Sequence, residues 1–113
     1  MRKITFSDLD GTYRQHEEIR GEVEGIVTGR SWDDSRNIDD DVRRIPVPIF
    51  FNPDPDTTPT LESIVAHKSF VINSAQVTKF YEDQKEQVNL LKILCPSCEI
   101  VWINNKSGTG TDD

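Results

Sequence analysis

Lys3-Ile4-Thr5-Phe6-Ser7-Asp8-Leu9-Asp10-Gly11-Thr12 runs from an apolar stretch straight into two acids and a glycine. Residues 3–7 read as a short strand, and the acids after it stand at its carboxyl end, where open α/β sheets bind their ligands. Gly11 lets the chain turn away without a Cβ clash. Strand alternation puts Asp8 and Asp10 on one side. Carboxylates that close repel unless a cation holds them, and Mg²⁺, with its preference for oxygen ligands, suits the pattern. The competing reading is an Asp-Gly turn closing a hairpin. The full run from Asp8 to Thr12 favours the ligand-binding edge.

Beyond this stretch the chain alternates strands with helices. Tyr13 to Glu24 is polar and charged and too short for a comfortable crossover helix, so a flap or hairpin is expected over residues 13–24. Gly25-Ile26-Val27-Thr28 reads as a strand ending at Gly29-Arg30. Ser31 to Arg44 reads as a helix, with Asp33 or Ser35 as cap, Ile38, Val42 and Ile45 at helical spacing, and Pro46 as stop. Val47 to Phe51 is a continuous apolar run of the kind a buried parallel strand shows. Thr58 and Pro59 form a helix start signal, and Leu61, Ile64, Val65, Lys68 and Ile72 mark one helix face. Val77 to Tyr81 is a further strand, Gln84 to Leu94 a helix with Val88, Leu91 and Ile93 inward, and Cys98 to Ile103 the last strand. This rhythm predicts an α/β fold: a three-layer, Rossmann-like arrangement on a central five-stranded, mostly parallel sheet. The expected organisation is one domain over residues 1–105, with residues 106–113 a disordered tail.

Composition narrows the function classes. The chain has 113 residues and is 35% hydrophobic, enough for one modest core. A net charge of −7 argues against unaided nucleic-acid binding, which draws its affinity from Lys and Arg at phosphates. It suits a protein that attracts cations. No stretch approaches a membrane span, and Asp8 arrives before any apolar run long enough for a signal peptide, so a cytoplasmic location is expected. Cys95 and Cys98, in Cys-Pro-Ser-Cys, lack a second ligand pair for zinc and read as reduced, semi-buried thiols in a helix-to-strand turn.

Parallel strands bring their carboxyl ends to one sheet edge, so Asp8/Asp10, Thr28, Lys68 and Glu82/Asp83 are expected to converge there. Such a set suits phosphoryl transfer through an aspartyl phosphate. Asp8 would attack phosphorus, and Asp10 would protonate the leaving oxygen and then activate water. Thr28 would hydrogen-bond a phosphoryl oxygen, Lys68 would neutralise charge, and Asp83, with Glu82 as a further candidate, would join Asp8 and Asp10 in holding Mg²⁺. Lys79 is the alternative lysine. Arg30, next to Gly29, is a candidate contact for substrate phosphate. Asp33/Asp34 and Asp39/Asp40/Asp41 read as a solvated helix face.

With these motifs in order the chain resembles the haloacid dehalogenase-like phosphatase superfamily. Ile4 to Thr12 is similar to its first motif, with Asp8 as nucleophile and Asp10 as acid/base. Gly25 to Arg30 looks like the second, Ala66-His67-Lys68 like the third, and Lys79-Phe80-Tyr81-Glu82-Asp83 like the fourth. The resemblance covers roughly residues 3–103 and implies a Mg²⁺-dependent phosphohydrolase. Response-regulator receiver domains share the chemistry but place the acid pair first and the phosphorylated Asp two strands later. Here the third strand leads into Asn52-Pro53, so that reading is poor.

The chain departs from most members in having no room for a cap domain: residues 13–24 are at most a flap and 52–59 one loop. The usual helix between the first two strands is also missing. An uncapped site suits a bulky phosphoester or a nucleic-acid 3′-phosphate end, unless a second subunit serves as lid. The alternative is a catalytically weak or inactive member acting as a binding or assembly module. Retention of two mutually repelling acids speaks against it. A thiol redox protein built on Cys-Pro-Ser-Cys would need its cysteine at a helix N-terminus, whereas Cys95 falls at a helix end.

Overall fold

A computed structural model describes residues 2–31, 39–55 and 58–104. The strands are β1 (Thr5–Ser7), β2 (Gly25–Ser31), β3 (Ile49–Asn52), β4 (Lys79–Glu82) and β5 (Glu99–Trp102); the helices are α1 (Asp40–Arg43), α2 (Leu61–Ser74) and α3 (Lys85–Leu94). They form an α/β fold around a five-stranded sheet in the order β3-β2-β1-β4-β5. Every ladder is parallel, so the mostly parallel sheet expected is wholly parallel. β1 lies at its centre, which puts Asp8 in the middle of the carboxyl edge.

The period-two alternation of strands divides the core into two layers. Phe6, Val27, Phe80 and Ile100 face Val65 and Ile72 of α2 and Val88 and Leu91 of α3. Burying a side chain such as Phe80, which is fully buried, contributes about 1.5–3 kcal/mol. Ile26 and Tyr81 point the other way, into a second cluster with Leu9, Tyr13, Ile19, Val23 and Val42. Among the described residues that second layer comes largely from the connection between β1 and β2.

Residues 8–24 are the reason so short a connection suffices. Tyr13 and Arg14 donate backbone hydrogen bonds to the carbonyls of Asp8 and Leu9, closing a wide turn. A tight helical turn comes next, at Glu17–Ile19. The Arg20 guanidinium donates to the carbonyls of Tyr13 (2.9 Å) and Arg14 (2.8 Å) and lies 5.1 Å from the Tyr13 ring centroid. The Tyr81 hydroxyl donates to Glu22 at 2.6 Å, fastening the far end to β4. No strand forms in this segment, so it is a flap and not a hairpin.

Several boundaries depart from the sequence reading. Among the described residues of the helix expected over Ser31 to Arg44, Asp40–Arg43 is helical, with Asp39 at the N-cap position but making no side-chain capping bond; Ser31 ends β2, while Asp33, Asp34, Ser35 and Ile38 lie outside the described residues. Ile93, expected inward on α3, is 73% exposed. α2 starts after Thr60, whose hydroxyl accepts the Ser63 N–H at 3.1 Å, and not at Thr58-Pro59. Thr60 wins because its side chain satisfies a free N–H of the first turn. β4 starts at Lys79, not Val77: the Val77 N–H goes back to the Ile72 carbonyl to close α2, so Val77 cannot join the ladder. The expected tail, residues 106–113, also lies outside the described residues. Among the described residues no helix is long and apolar enough to cross a membrane.

Candidate functional site

Asp8 comes directly after β1, its backbone N–H bonded to the Tyr81 carbonyl of β4 at 2.9 Å. Glu82 is the last residue of β4 and Asp83 the next. Adjacent parallel strands ending at one level therefore bring these acids together: one carboxylate oxygen from each of Asp8, Glu82 and Asp83 falls within a 4.8 Å cluster. Asp8 and Glu82 are buried, and Asp83 is half-buried.

Lys68 reaches the cluster from α2. It stands at the spacing of Val65 and Ile72, on the buried face, and is itself buried. Its ammonium donates to Asp8 Oδ1 at 2.9 Å, Glu82 Oε1 at 2.7 Å and Gln87 Oε1 at 2.7 Å, which uses all of its N–H groups. Burial alone would lower the Lys68 ammonium, but the Asp8 and Glu82 charges outweigh it and hold the group above its ordinary value. One ammonium cannot balance two buried acids. Burial, and next the Glu82 charge, therefore push the Asp8 carboxyl well above its ordinary range against the pull of Lys68. Burial raises Glu82 as well. The cluster holds surplus negative charge and would gain from a cation.

The remaining predicted residues fall nearby in different ways. Thr28 is buried where the β2–β3 register slips, between Val27 and Ser31, and its Oγ1 accepts the Arg30 N–H at 3.1 Å. Gly29 lies close under α2: a Cβ there would meet Ile64 Cγ2 at 2.9 Å. Asp10 does not join the acid cluster. Its carboxylate turns outward onto Arg30, with Nε 2.8 Å from Oδ2 and Nη2 2.9 Å from Oδ1, and onto Arg14 Nη1 at 3.1 Å. The side-by-side placement inferred from strand alternation fails because β1 ends at Ser7. Lys79 stands apart, 3.4 Å from Glu22. Asp39 and Asp41 are exposed but hold Arg14, so they are more than a solvated face.

Gly11 has φ +78°, and a Cβ there would collide with the Asp83 carboxylate. Both its backbone and its missing side chain serve the site. No family model matches this chain, and no curated protein or solved structure matches it. The site is accordingly read from its own chemistry.

Sequence reasoning missed Gln87, Thr12 and Trp102. Thr12 Oγ1 lies 3.2 Å from Asp83 Oδ1 and 3.5 Å from Asp8 Oδ2, a hydroxyl placed between two acids. Trp102 Nε1 donates to the Asp83 carbonyl at 3.0 Å, and Lys85 Nζ lies 4.7 Å from its ring centroid. The available signal for Gln87 was a polar side chain beside Val88 and one turn before Leu91, on the inward face of α3. For Trp102 there was none, because its partner comes from another strand end.

The cysteines stay outside this site. Cys95 caps α3 and is buried; Cys98 is half-buried, and both are free thiols. Burial, with Cys95 and Glu99 beside it, pushes the Cys98 thiol up to about 12, which leaves little reactive thiolate at neutral pH.

Proposed function

We propose that this chain is a Mg²⁺-dependent phosphohydrolase working through an aspartyl-phosphate intermediate, a capless protein of haloacid dehalogenase-like type. The observation that carries the reading is Asp8: a buried carboxylate at the carboxyl end of the central strand, bonded to a buried lysine and clustered with Glu82 and Asp83. The donor set fits Mg²⁺, which takes oxygen ligands and commonly one or two carboxylates. Asp8, through the oxygen not bonded to Lys68, and Asp83 would hold the ion, while Glu82 anchors the lysine. When bound, Mg²⁺ would supply the positive charge that keeps Asp8 ionised and offsets the phosphoryl oxygens.

The steps assigned to the chain's own residues balance. Asp8 Oδ attacks phosphorus in line, forming the acyl phosphate as the P–O bond to the leaving alcohol breaks; Asp10 gives that oxygen a proton. Asp10 then takes a proton from water, which attacks the same phosphorus and returns Asp8 with inorganic phosphate. Lys68 offsets negative charge through both steps. Thr28, Gly29 and Arg30 line the edge beside Asp8 and would bind phosphoryl oxygens. With only residues 8–24 joining β1 to β2 and residues 53–60 joining β3 to α2, neither connection is long enough for a cap domain, which suits a bulky phosphoester or a nucleic-acid 3′-phosphate end. A second copy of the chain is the candidate lid.

The deciding experiment measures Mg²⁺-dependent phosphate release from an aryl phosphate and from a 3′-phosphorylated oligonucleotide, with wild type beside Asp8→Asn. Turnover lost in the variant and in EDTA is the expected result. Undiminished turnover by Asp8→Asn would remove Asp8 as nucleophile. The second reading, a catalytically weak binding or assembly module, draws on Phe70 and Ile93, apolar side chains about 70% exposed on α2 and α3. Absent turnover on both substrates, with a stable self-associated form in solution, would favour it.

A further inference from the structure

Two guanidinium groups converge on one carboxylate beside the acid cluster. Arg30 grips Asp10 with a two-point fork, Nε at 2.8 Å and Nη2 at 2.9 Å, and Arg14 Nη1 adds a third contact at 3.1 Å. Arg14 is itself fixed from the other side: its Nη2 lies 3.1 Å from Asp39 and its Nε 3.0 Å from Asp41, at the start of α1. The Arg30 backbone is held by its N–H on Thr28. The two arginine side chains are only 25% and 26% exposed, while the acid they hold is about half exposed (49%) and is carried on an irregular turn at the sheet edge. A planar fork that accepts the two oxygens of a carboxylate accepts two oxygens of a phosphoryl group equally well.

We infer that Arg30 and Arg14 form a seat for phosphate oxygens, filled by the Asp10 carboxylate when no phosphoryl group is bound. A phosphoryl group entering the seat displaces Asp10, which is then free to turn toward Asp8. The inference rests on the phosphohydrolase reading and extends it: the acid/base residue is released by substrate, so it turns toward Asp8 only once a phosphoryl group arrives.

The test is a double-mutant cycle on the binding of inorganic phosphate at saturating Mg²⁺, measured by calorimetry in wild type, Asp10→Asn, Arg30→Met and the double variant. A seat open about one-tenth of the time weakens phosphate about tenfold, so Asp10→Asn is expected to bind phosphate about tenfold tighter than wild type. In the Arg30→Met background the same change should give less than about a twofold gain, because the seat is gone. An equal gain in both backgrounds would mean that removing a negative charge, not vacating a seat, is what matters, and would overturn the inference. So would phosphate binding undetectable in every variant. Should Arg30→Met fail to fold, Arg30→Lys keeps the charge without the fork and must likewise abolish most of the gain. Asp8-dependent turnover with no coupling in the cycle sinks the seat alone. Coupling in a protein that hydrolyses neither phosphoester sinks the enzyme reading and leaves an anion-binding site.

Discussion

Replacing Lys68 by Met removes one charge and three hydrogen bonds while preserving most of the side-chain volume. In the native protein the ammonium lies 2.9 Å from Asp8 and 2.7 Å from both Glu82 and Gln87, with its side chain 2% exposed. The substitution leaves two buried acids facing each other with no compensating cation. Breaking a buried ion pair by removing one partner costs about 3–5 kcal/mol. With two acids stranded, a loss of about 4 kcal/mol is expected at pH 7 without divalent metal. At about 0.1 kcal/mol per residue, a chain of 113 residues has roughly 11 kcal/mol of stability, so the variant stays folded. Urea denaturation reads the effect: at about 2 kcal/mol per molar urea, the midpoint falls by about 2 M. Adding Glu82→Gln to Lys68→Met should recover part of the loss, since only one buried acid then remains. A midpoint shift below about 0.5 M would refute the reasoning. It would mean that water reaches the acids from the carboxyl edge of the sheet and that Lys68 does not neutralise a dry cluster.

The same geometry governs the response to pH and to a change at Gly11. The raised Asp8 carboxyl keeps its proton after the unfolded chain has lost it, so its contribution to stability is greatest below the ordinary value of 3.8 and declines as pH rises toward neutrality. His67, lowered by burial, acts in the opposite sense near its ordinary value of 6.5, so the comparison is made against Asp8→Asn, which keeps His67. Relative to that variant, metal-free wild type should gain in urea midpoint between pH 7.5 and pH 5 (about the window set by these groups), and Mg²⁺ should erase the gain; a loss on acidification would contradict the raised carboxyl. Gly11→Ala forces a Cβ onto the Asp83 carboxylate at a backbone with φ +78°, and should cost about 1–3 kcal/mol of stability while weakening Mg²⁺ in calorimetry. Unchanged metal affinity in a folded Gly11→Ala protein would show that Asp83 is not a ligand.

The alternation of short apolar runs with helical periodicity was enough to read the parallel α/β architecture, because both signals are local and repeat within a few residues. Lys68 was legible for a related reason: it shares one helix face with Leu61, Ile64, Val65 and Ile72 and comes shortly before the fourth strand, while its burial among acids appeared only in the packing. The convergence of Asp8, Glu82 and Asp83 was legible because parallel strands end on one edge. Other features were not local. Whether residues 8–24 formed a hairpin or a packed flap depended on Arg20 reaching back to two carbonyls and on Tyr81 reaching Glu22. The direction of Asp10 was set by Arg30, twenty positions on, and by where β1 stopped. Gln87 and Trp102 entered the site from α3 and β5. Periodicity along one segment determines which face is buried. Only the packing of segments against one another decides which polar groups meet there, and with what charge.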